Sequence, residues 1–192
     1  VTVACLVENN TLKGLKNYQT FKKNNLNISR ATAVKALLKI IGKKTKIIST
    51  TGFTSREVFQ LRKENNLLNG KDFYMIGGMG HSGMISLGVS LSKGNQVVCL
   101  DGDGSIMMHF GSLKTQGLFG KKNFKHILLN NFCHESVGKQ KTYLEKFDFC
   151  SISKKLGYKY SKTVKDKSAL NKSLKNFISS KGPSFLEIKI KV

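Results

Sequence analysis

The sequence predicts an α/β fold, a parallel sheet with helices on both faces. Three observations carry this expectation. Short apolar runs bounded by turn residues alternate with segments of helical periodicity, the pattern of βαβ units. Glycine-rich segments fall directly after the apolar runs, following Thr51, Ile76, Leu100 and Leu129, where strand ends meet ligands in such sheets. The chain has 192 residues, of which 40% are hydrophobic and 23% charged, enough for one main domain with its own core.

The elements follow in order. Residues 1–7 read as a short apolar strand leading into a polar Asn- and Lys-rich stretch, so 1–28 is expected to be the end of a preceding domain and its linker, with the main domain at 29–192. Val1 in place of a methionine fits that expectation. Ser29 is a candidate N-cap for a helix with apolar Ala33, Leu37, Leu38 and Ile41 at helical spacing, ended by Gly42. A β-rich run at 46–50, a helix near 56–65, a strand at 73–76, a glycine turn and a helix at 81–91 come next. Residues 97–100 are a fully apolar strand, 105–118 a helix, and 126–129 another buried strand. A short helix at 151–156 and a weak strand at 158–160 precede an amphipathic helix at 169–178. The Gly182-Pro183 turn then leads to a last strand, 185–192, alternating apolar and charged residues.

The charge is the unusual bulk property: 33 Lys and Arg against 11 Asp and Glu, a formal +22. Nucleic acid is the first partner such a surplus suggests, because phosphate neutralisation supplies most non-specific affinity. The lysines, however, come singly or in pairs along the whole chain, without a dense run or interleaved aromatics, so nucleic acid is not expected as a partner. A solvated basic surface suited to an anionic substrate or an acidic partner fits better. Four cysteines show neither a C-x-x-C pair nor metal-ligand spacing. With no apolar stretch of spanning length and no signal-peptide pattern, the expectation is a cytoplasmic protein without membrane contact.

Two readings compete for the glycines. Gly78-Met79-Gly80-His81-Ser82-Gly83 matches the G-x-G-x-x-G dinucleotide fingerprint, follows a predicted strand and opens a helix, with Asp103 twenty residues beyond Gly83, so an NAD-binding oxidoreductase is one possibility. The other pairs Gly102-Asp103-Gly104-Ser105 with Asn130-Asn131, both at strand ends that a right-handed crossover would make neighbours. A carboxylate, an amide oxygen and a backbone carbonyl, completed by diphosphate oxygens and water, form the oxygen shell that Mg²⁺ prefers. Gly102 and Gly104 let the backbone approach the phosphate, and Ser105 is expected to open a helix whose N-terminus favours an anion.

The GDG segment followed downstream by the Asn pair resembles the thiamine-diphosphate motif. Gly77-Gly78-Met79-Gly80-His81 is similar to that family's turn in which a hydrophobe wedges between the two cofactor rings, the place of Met79. The resemblance implies that the Gly77 carbonyl meets the aminopyrimidine, that Thr51-Gly52 and Gly80 touch the cofactor, and that Asp103, Asn131 and the Cys133 carbonyl hold Mg²⁺. Within the family, residues 50–57, 78–81 and 130–138 are most similar to the phosphonopyruvate decarboxylases and the sulfopyruvate decarboxylase β subunits. One departure stands out: Phe132-Cys133 replaces the small Gly-Ala-like step that usually follows the Asn pair.

The resemblance further implies the diphosphate-binding (PP) domain of this fold and decarboxylation of a short anionic 2-keto acid, with His134, Glu135 and His81 as candidate catalytic groups and Lys139 nearby. Arg56 either meets the substrate's distal anion or caps its helix; for His109 and His126, packing is the expectation. The glutamate that activates the aminopyrimidine belongs to a second domain in these enzymes. A pyrimidine-binding domain or subunit is therefore an expected partner, and the full enzyme an expected homo-oligomer.

Overall fold

The computed structural model describes Val3, Val7, Glu8 and Thr11 and residues 24–65, 72–92 and 94–192; the strand expected at 1–7 lies largely outside the described residues. Six strands form one parallel sheet: β1 (Lys46–Ser49), β2 (Phe73–Tyr74), β3 (Val97–Gly102), β4 (Phe124–Asn130), β7 (Tyr160–Val164) and β8 (Ser184–Lys189), in the order β2-β1-β3-β4-β8-β7. Two further short strands, β5 (Cys133–His134) and β6 (Gln140–Lys141), pair as an antiparallel hairpin after β4.

Among the described residues, seven α-helices cover both faces. On one, α1 (Arg30–Leu38), α2 (Phe53–Glu64) and α7 (Lys167–Ser179) close a core that includes Leu37, Val58, Leu174 and Phe177 against Val98, Ile127 and Leu186. On the other, α3 (Ser82–Ser92), α4 (Asp103–Met108), α5 (Ser112–Phe119) and α6 (Phe149–Lys155) close a second core around Leu87, Ile106, Leu113, Phe149 and Phe185. Alternate residues of each central strand feed the two cores, so β3, β4 and β8 are buried along almost their whole length on both faces.

Local chemistry accounts for most boundaries. Ser29 caps α1 as expected, its hydroxyl accepting from the Thr32 N–H at 3.0 Å. The helix ends at Leu38, before Gly42, through a tighter turn in which the Ile40 N–H bonds the Leu37 carbonyl. Helix α2 starts at Phe53, three residues earlier than expected, because Gly52 at φ +87° turns the chain directly out of β1.

Three departures have tertiary causes. The helix expected at 105–118 is two helices: α4 begins at Asp103, and the chain breaks at His109, whose ring centroid lies 4.4 Å from that of His81 with the planes tilted. His109 is exposed, with its ring against His81 and close to Gly80. The final strand, with its apolar and charged alternation, lies inside the sheet between β4 and β7, where Glu187 is only 1% exposed. Its carboxylate is satisfied there by the Asn130 amide at 2.7 Å and the Thr163 hydroxyl at 2.8 Å. Ile28, counted with the linker, is fully buried in the first core and its carbonyl accepts from Lys191 N–H at 2.8 Å.

Among the described residues no helix is long and apolar enough to cross a membrane.

Candidate functional site

The carboxyl ends of β1, β3 and β4 open into one pocket. Its lining includes Thr51 and Gly52 after β1, Gly102, Asp103, Gly104 and Ser105 after β3, Asn131, Cys133, His134 and Glu135 after β4, and Met79. The parallel register places Gly102 beside Leu129, which brings the GDG turn and the Asn pair together as the crossover rule requires. Of the candidate residues, Gly77, Gly80 and His81 do not line this pocket. Gly77 and His81 are exposed in the turn behind Met79, and the His81 Nδ1 lies 3.1 Å from the Gly78 carbonyl.

Asp103 is 3% exposed and starts α4. Burial pushes its pKa up to about 6, opposed by a 2.7 Å hydrogen bond donated by the Thr142 hydroxyl and by backbone N–H groups. A carboxylate held at such desolvation cost is one that a cation would stabilise. The six-residue α4 has too small a dipole to make the anion-binding helix terminus expected from Ser105. Ser105 works differently: its Oγ accepts from the Gly80 N–H at 3.0 Å and from the Thr50 hydroxyl at 2.9 Å. It thereby joins the turn carrying Met79 to the end of β1.

The Asn pair divides its work. Asn130 Oδ1 accepts from the Phe132 N–H at 3.1 Å while its amide donates to Glu187, so Asn130 builds the turn. Asn131 Oδ1 accepts from the Cys133 N–H at 3.3 Å, and its amide donates to Glu135 at 3.0 Å. Phe132, directly after the pair, adopts φ +64°, the left-handed region that favours glycine. That conformation explains why a small step suits this turn, and Phe132 pays for its side chain by packing in the second core with the Lys189 ammonium 5.2 Å from its ring centroid.

The oxygen donors fit a hard cation. Burial and the neighbouring Asp103 raise the Cys133 thiol to about 11, so it stays protonated at neutral pH and its backbone carbonyl is the group suited to Mg²⁺. The glycines fit an approaching ligand equally well. A Cβ on Gly104 would collide with the His134 ring and come within 3.2 Å of the Met79 methyl, so only a bare backbone leaves this cradle open.

Several members of the site escaped the sequence reading. Thr142 and Arg30 reach it from 39 and 105 residues away from their partners Asp103 and Glu135, beyond any local pattern. Beneath the GDG turn, Asp101 bonds the Gly102 N–H at 3.0 Å and lies 3.4 Å from the fully buried His126. Burial opposes the charged form of His126, but the neighbouring Cys99 and Asp101 outweigh it and raise its pKa to about 10, and the three side chains pack together under the loop. Packing was the expectation for His126, without that electrostatic part.

The geometry also decides the dinucleotide alternative. The strand before Gly78 is β2, a two-residue edge strand, and β1 separates it from β3. Asp103 is therefore not at the end of the adjacent strand, where a ribose would require it.

Residues 48–188 match the family model "Thiamine pyrophosphate enzyme, C-terminal TPP binding domain". The chain is 32% identical to the phosphonopyruvate decarboxylase of Streptomyces viridochromogenes over 163 residues, 85% of this chain and 40% of that protein. It is 34% identical to the sulfopyruvate decarboxylase subunit beta of Methanothermobacter thermautotrophicus over 145 residues, 76% of this chain and 73% of that one. The match to the sulfopyruvate decarboxylase subunit beta of Methanocaldococcus jannaschii is 35% over 117 residues, 61% of this chain and 60% of that one. The chain thus spans about two fifths of the phosphonopyruvate decarboxylase it matches.

Proposed function

From the chain's membership of the thiamine pyrophosphate enzymes, as their C-terminal TPP-binding domain, we propose that it carries the metal and diphosphate site of a decarboxylase acting on a short anionic 2-keto acid. The observation that carries this reading is the convergence of Asp103 and Asn131 with the bare glycine backbone of 102–104 in one pocket. Phosphonopyruvate, giving phosphonoacetaldehyde and CO₂, is the substrate favoured by the first relative, and sulfopyruvate by the second. The basic balance of the chain suits either anion.

In this reading Asp103, the Asn131 amide oxygen and the Cys133 carbonyl hold Mg²⁺. Thr51, Gly52, Gly102, Gly104 and Ser105 border the diphosphate, and Gly77, Met79 and Gly80 form the turn against the ring system. When bound, the cofactor supplies the electron sink for loss of CO₂. His134 lies against Gly104 and lines the pocket with Met79, and in this reading it holds or delivers a proton; His81 is further out, at the exposed turn. A pyrimidine-binding domain or subunit would complete the site. The exposed apolar side chains Phe59, Ile76 and Met108, 47%, 96% and 57% exposed, support a partner covering the region around Met79.

A thermal-shift panel on the intact enzyme tests the reading. Thiamine diphosphate with Mg²⁺ is expected to raise the melting temperature, each alone much less, and NAD not at all; stabilisation by NAD alone would sink it. Measuring CO₂ release from phosphonopyruvate and sulfopyruvate then separates the substrates.

Thr142 offers a finer check. Its hydrogen bond lowers the pKa of Asp103, so Thr142→Val is expected to weaken Mg²⁺ binding about tenfold and to move the pH midpoint of that binding above about 6. An unchanged midpoint, read from Mg²⁺ titrations across pH, would remove Thr142 from the site.

A further inference from the structure

Glu135 is the acidic side chain bonded to Asn131, and its carboxylate is engaged twice. Its Oε2 receives the Asn131 amide at 3.0 Å and pairs with the Arg30 guanidinium in a charge-assisted hydrogen bond. Arg30 opens α1, directly after its N-cap Ser29, and its guanidinium lies 5.8 Å from the Phe53 ring centroid at the start of α2. Arg30 and Glu135 are 16% and 22% exposed, so the pair is screened far less than a surface pair. Among the described residues, the pocket lining contains one cationic side chain, that of Arg30.

We infer that Arg30 and Glu135 form a clamp that fixes which way the Asn131 amide faces, and that Glu135 acts in the site by this positioning and not by proton transfer. The inference rests on the proposed metal site and assigns it two supporting residues. An amide has two chemically different ends. A carboxylate at Glu135 accepts from the Asn131 NH₂ group but repels its oxygen, so the amide cannot turn over without setting oxygen against oxygen. The Oδ1 is then left on the opposite side, with the Cys133 N–H, where a metal ion needs it. Arg30 keeps the carboxylate in place and neutralises it. Without that neutralisation the pocket would present a second negative charge, beside Asp103, to a diphosphate. The Oε2 of Glu135 is already taken up by the guanidinium and the amide, so its place in the site is to hold them. Asp103 has its own support, Thr142, so the two proposed side-chain ligands are held by separate devices.

The test uses the intact enzyme and two readouts, the Mg²⁺ dissociation constant from calorimetric titration in the presence of thiamine diphosphate, and kcat as a function of Mg²⁺. Glu135→Ala and Arg30→Gln are each expected to weaken Mg²⁺ binding by about 10–100-fold, the usual cost of removing a group that orients a ligand. Saturating Mg²⁺ is expected to restore much of kcat. Glu135→Gln retains a side-chain oxygen that can accept from the Asn131 amide and from Arg30, and is expected to keep Mg²⁺ affinity within about threefold of wild type, a difference of about 0.7 kcal/mol. An unchanged Mg²⁺ constant in Glu135→Ala, with kcat lost at every Mg²⁺ concentration, would overturn the clamp and assign Glu135 to proton transfer. Wild-type protein and Asp103→Ala run alongside. If wild type shows no Mg²⁺-dependent cofactor binding, the metal site itself fails; if wild type binds, Asp103→Ala does not, and both clamp variants match wild type, only the clamp fails. Melting temperatures without ligand show whether each variant is folded, and Glu135→Gln, which keeps the shape of the side chain, decides the matter if Glu135→Ala is not.

Discussion

Asp103→Ala is expected to raise the concentration of Mg²⁺ and thiamine diphosphate required for binding by at least about 100-fold, roughly 3 kcal/mol. The carboxylate is the one charged oxygen donor among the proposed metal ligands, and it is only 3% exposed. The pH dependence carries the same signature. Because burial holds Asp103 at about 6 when no cation is present, protons compete with Mg²⁺ below that pH. Affinity should be flat above about 6 and fall about tenfold for each pH step below it, a slope that a calorimetric series would reveal.

Stability without ligand should move the opposite way. A carboxyl whose folded pKa is raised from 3.8 to about 6 is indifferent below about pH 4, where both states are protonated, and costs the folded state increasingly as pH rises through this interval. Above about 6 the cost is complete, with a ceiling of about 3 kcal/mol. Asp103→Asn should therefore be more stable than wild type at pH 8 in the absence of Mg²⁺ and indistinguishable at pH 4. Urea unfolding at the two pH values checks this; a variant less stable at pH 8 would contradict the burial argument.

Gly80→Ala is expected to destabilise the protein by about 2–4 kcal/mol and to displace the Met79 turn, through two independent costs. Gly80 has φ +89°, where an L-residue is strained, and its added methyl would meet His109 Nδ1 at 2.5 Å, Met108 Cβ at 3.0 Å and the Ser105 carbonyl at 3.2 Å. The histidine can swing away, but the carbonyl belongs to α4 and cannot move without the GDG turn. Gly77→Ala is the matched control: it has φ +68° but nothing within 4 Å of the added atom, so only the conformational cost of about 1–2 kcal/mol applies. Urea midpoints should rank wild type above Gly77→Ala and Gly77→Ala above Gly80→Ala. Equal midpoints for the two variants would mean that the close approach to α4 carries no energy.

Much of this molecule was legible before the structure. Continuous apolar runs, helical periodicity and punctuation by Ser29, Gly52 and Gly182-Pro183 are local properties, and each strand and helix depends first on its own residues. The pairing of β3 with β4 followed from chain connectivity alone, and with it the meeting of Asp103 and Asn131 in one pocket. What sequence could not supply were relations between distant residues. The apolar and charged alternation of β8 shows nothing of a buried place for Glu187, which exists because Asn130 and Thr163 arrive on its two neighbours. The contact of His109 with His81 and the supports of the pocket, Thr142 for Asp103 and Arg30 for Glu135, join residues with no common local pattern. Secondary structure and strand order rest on short-range periodicity and connectivity, which a sequence displays. The orientation of a buried polar group rests on whichever partner the packed fold brings to it, and only the tertiary structure decides that.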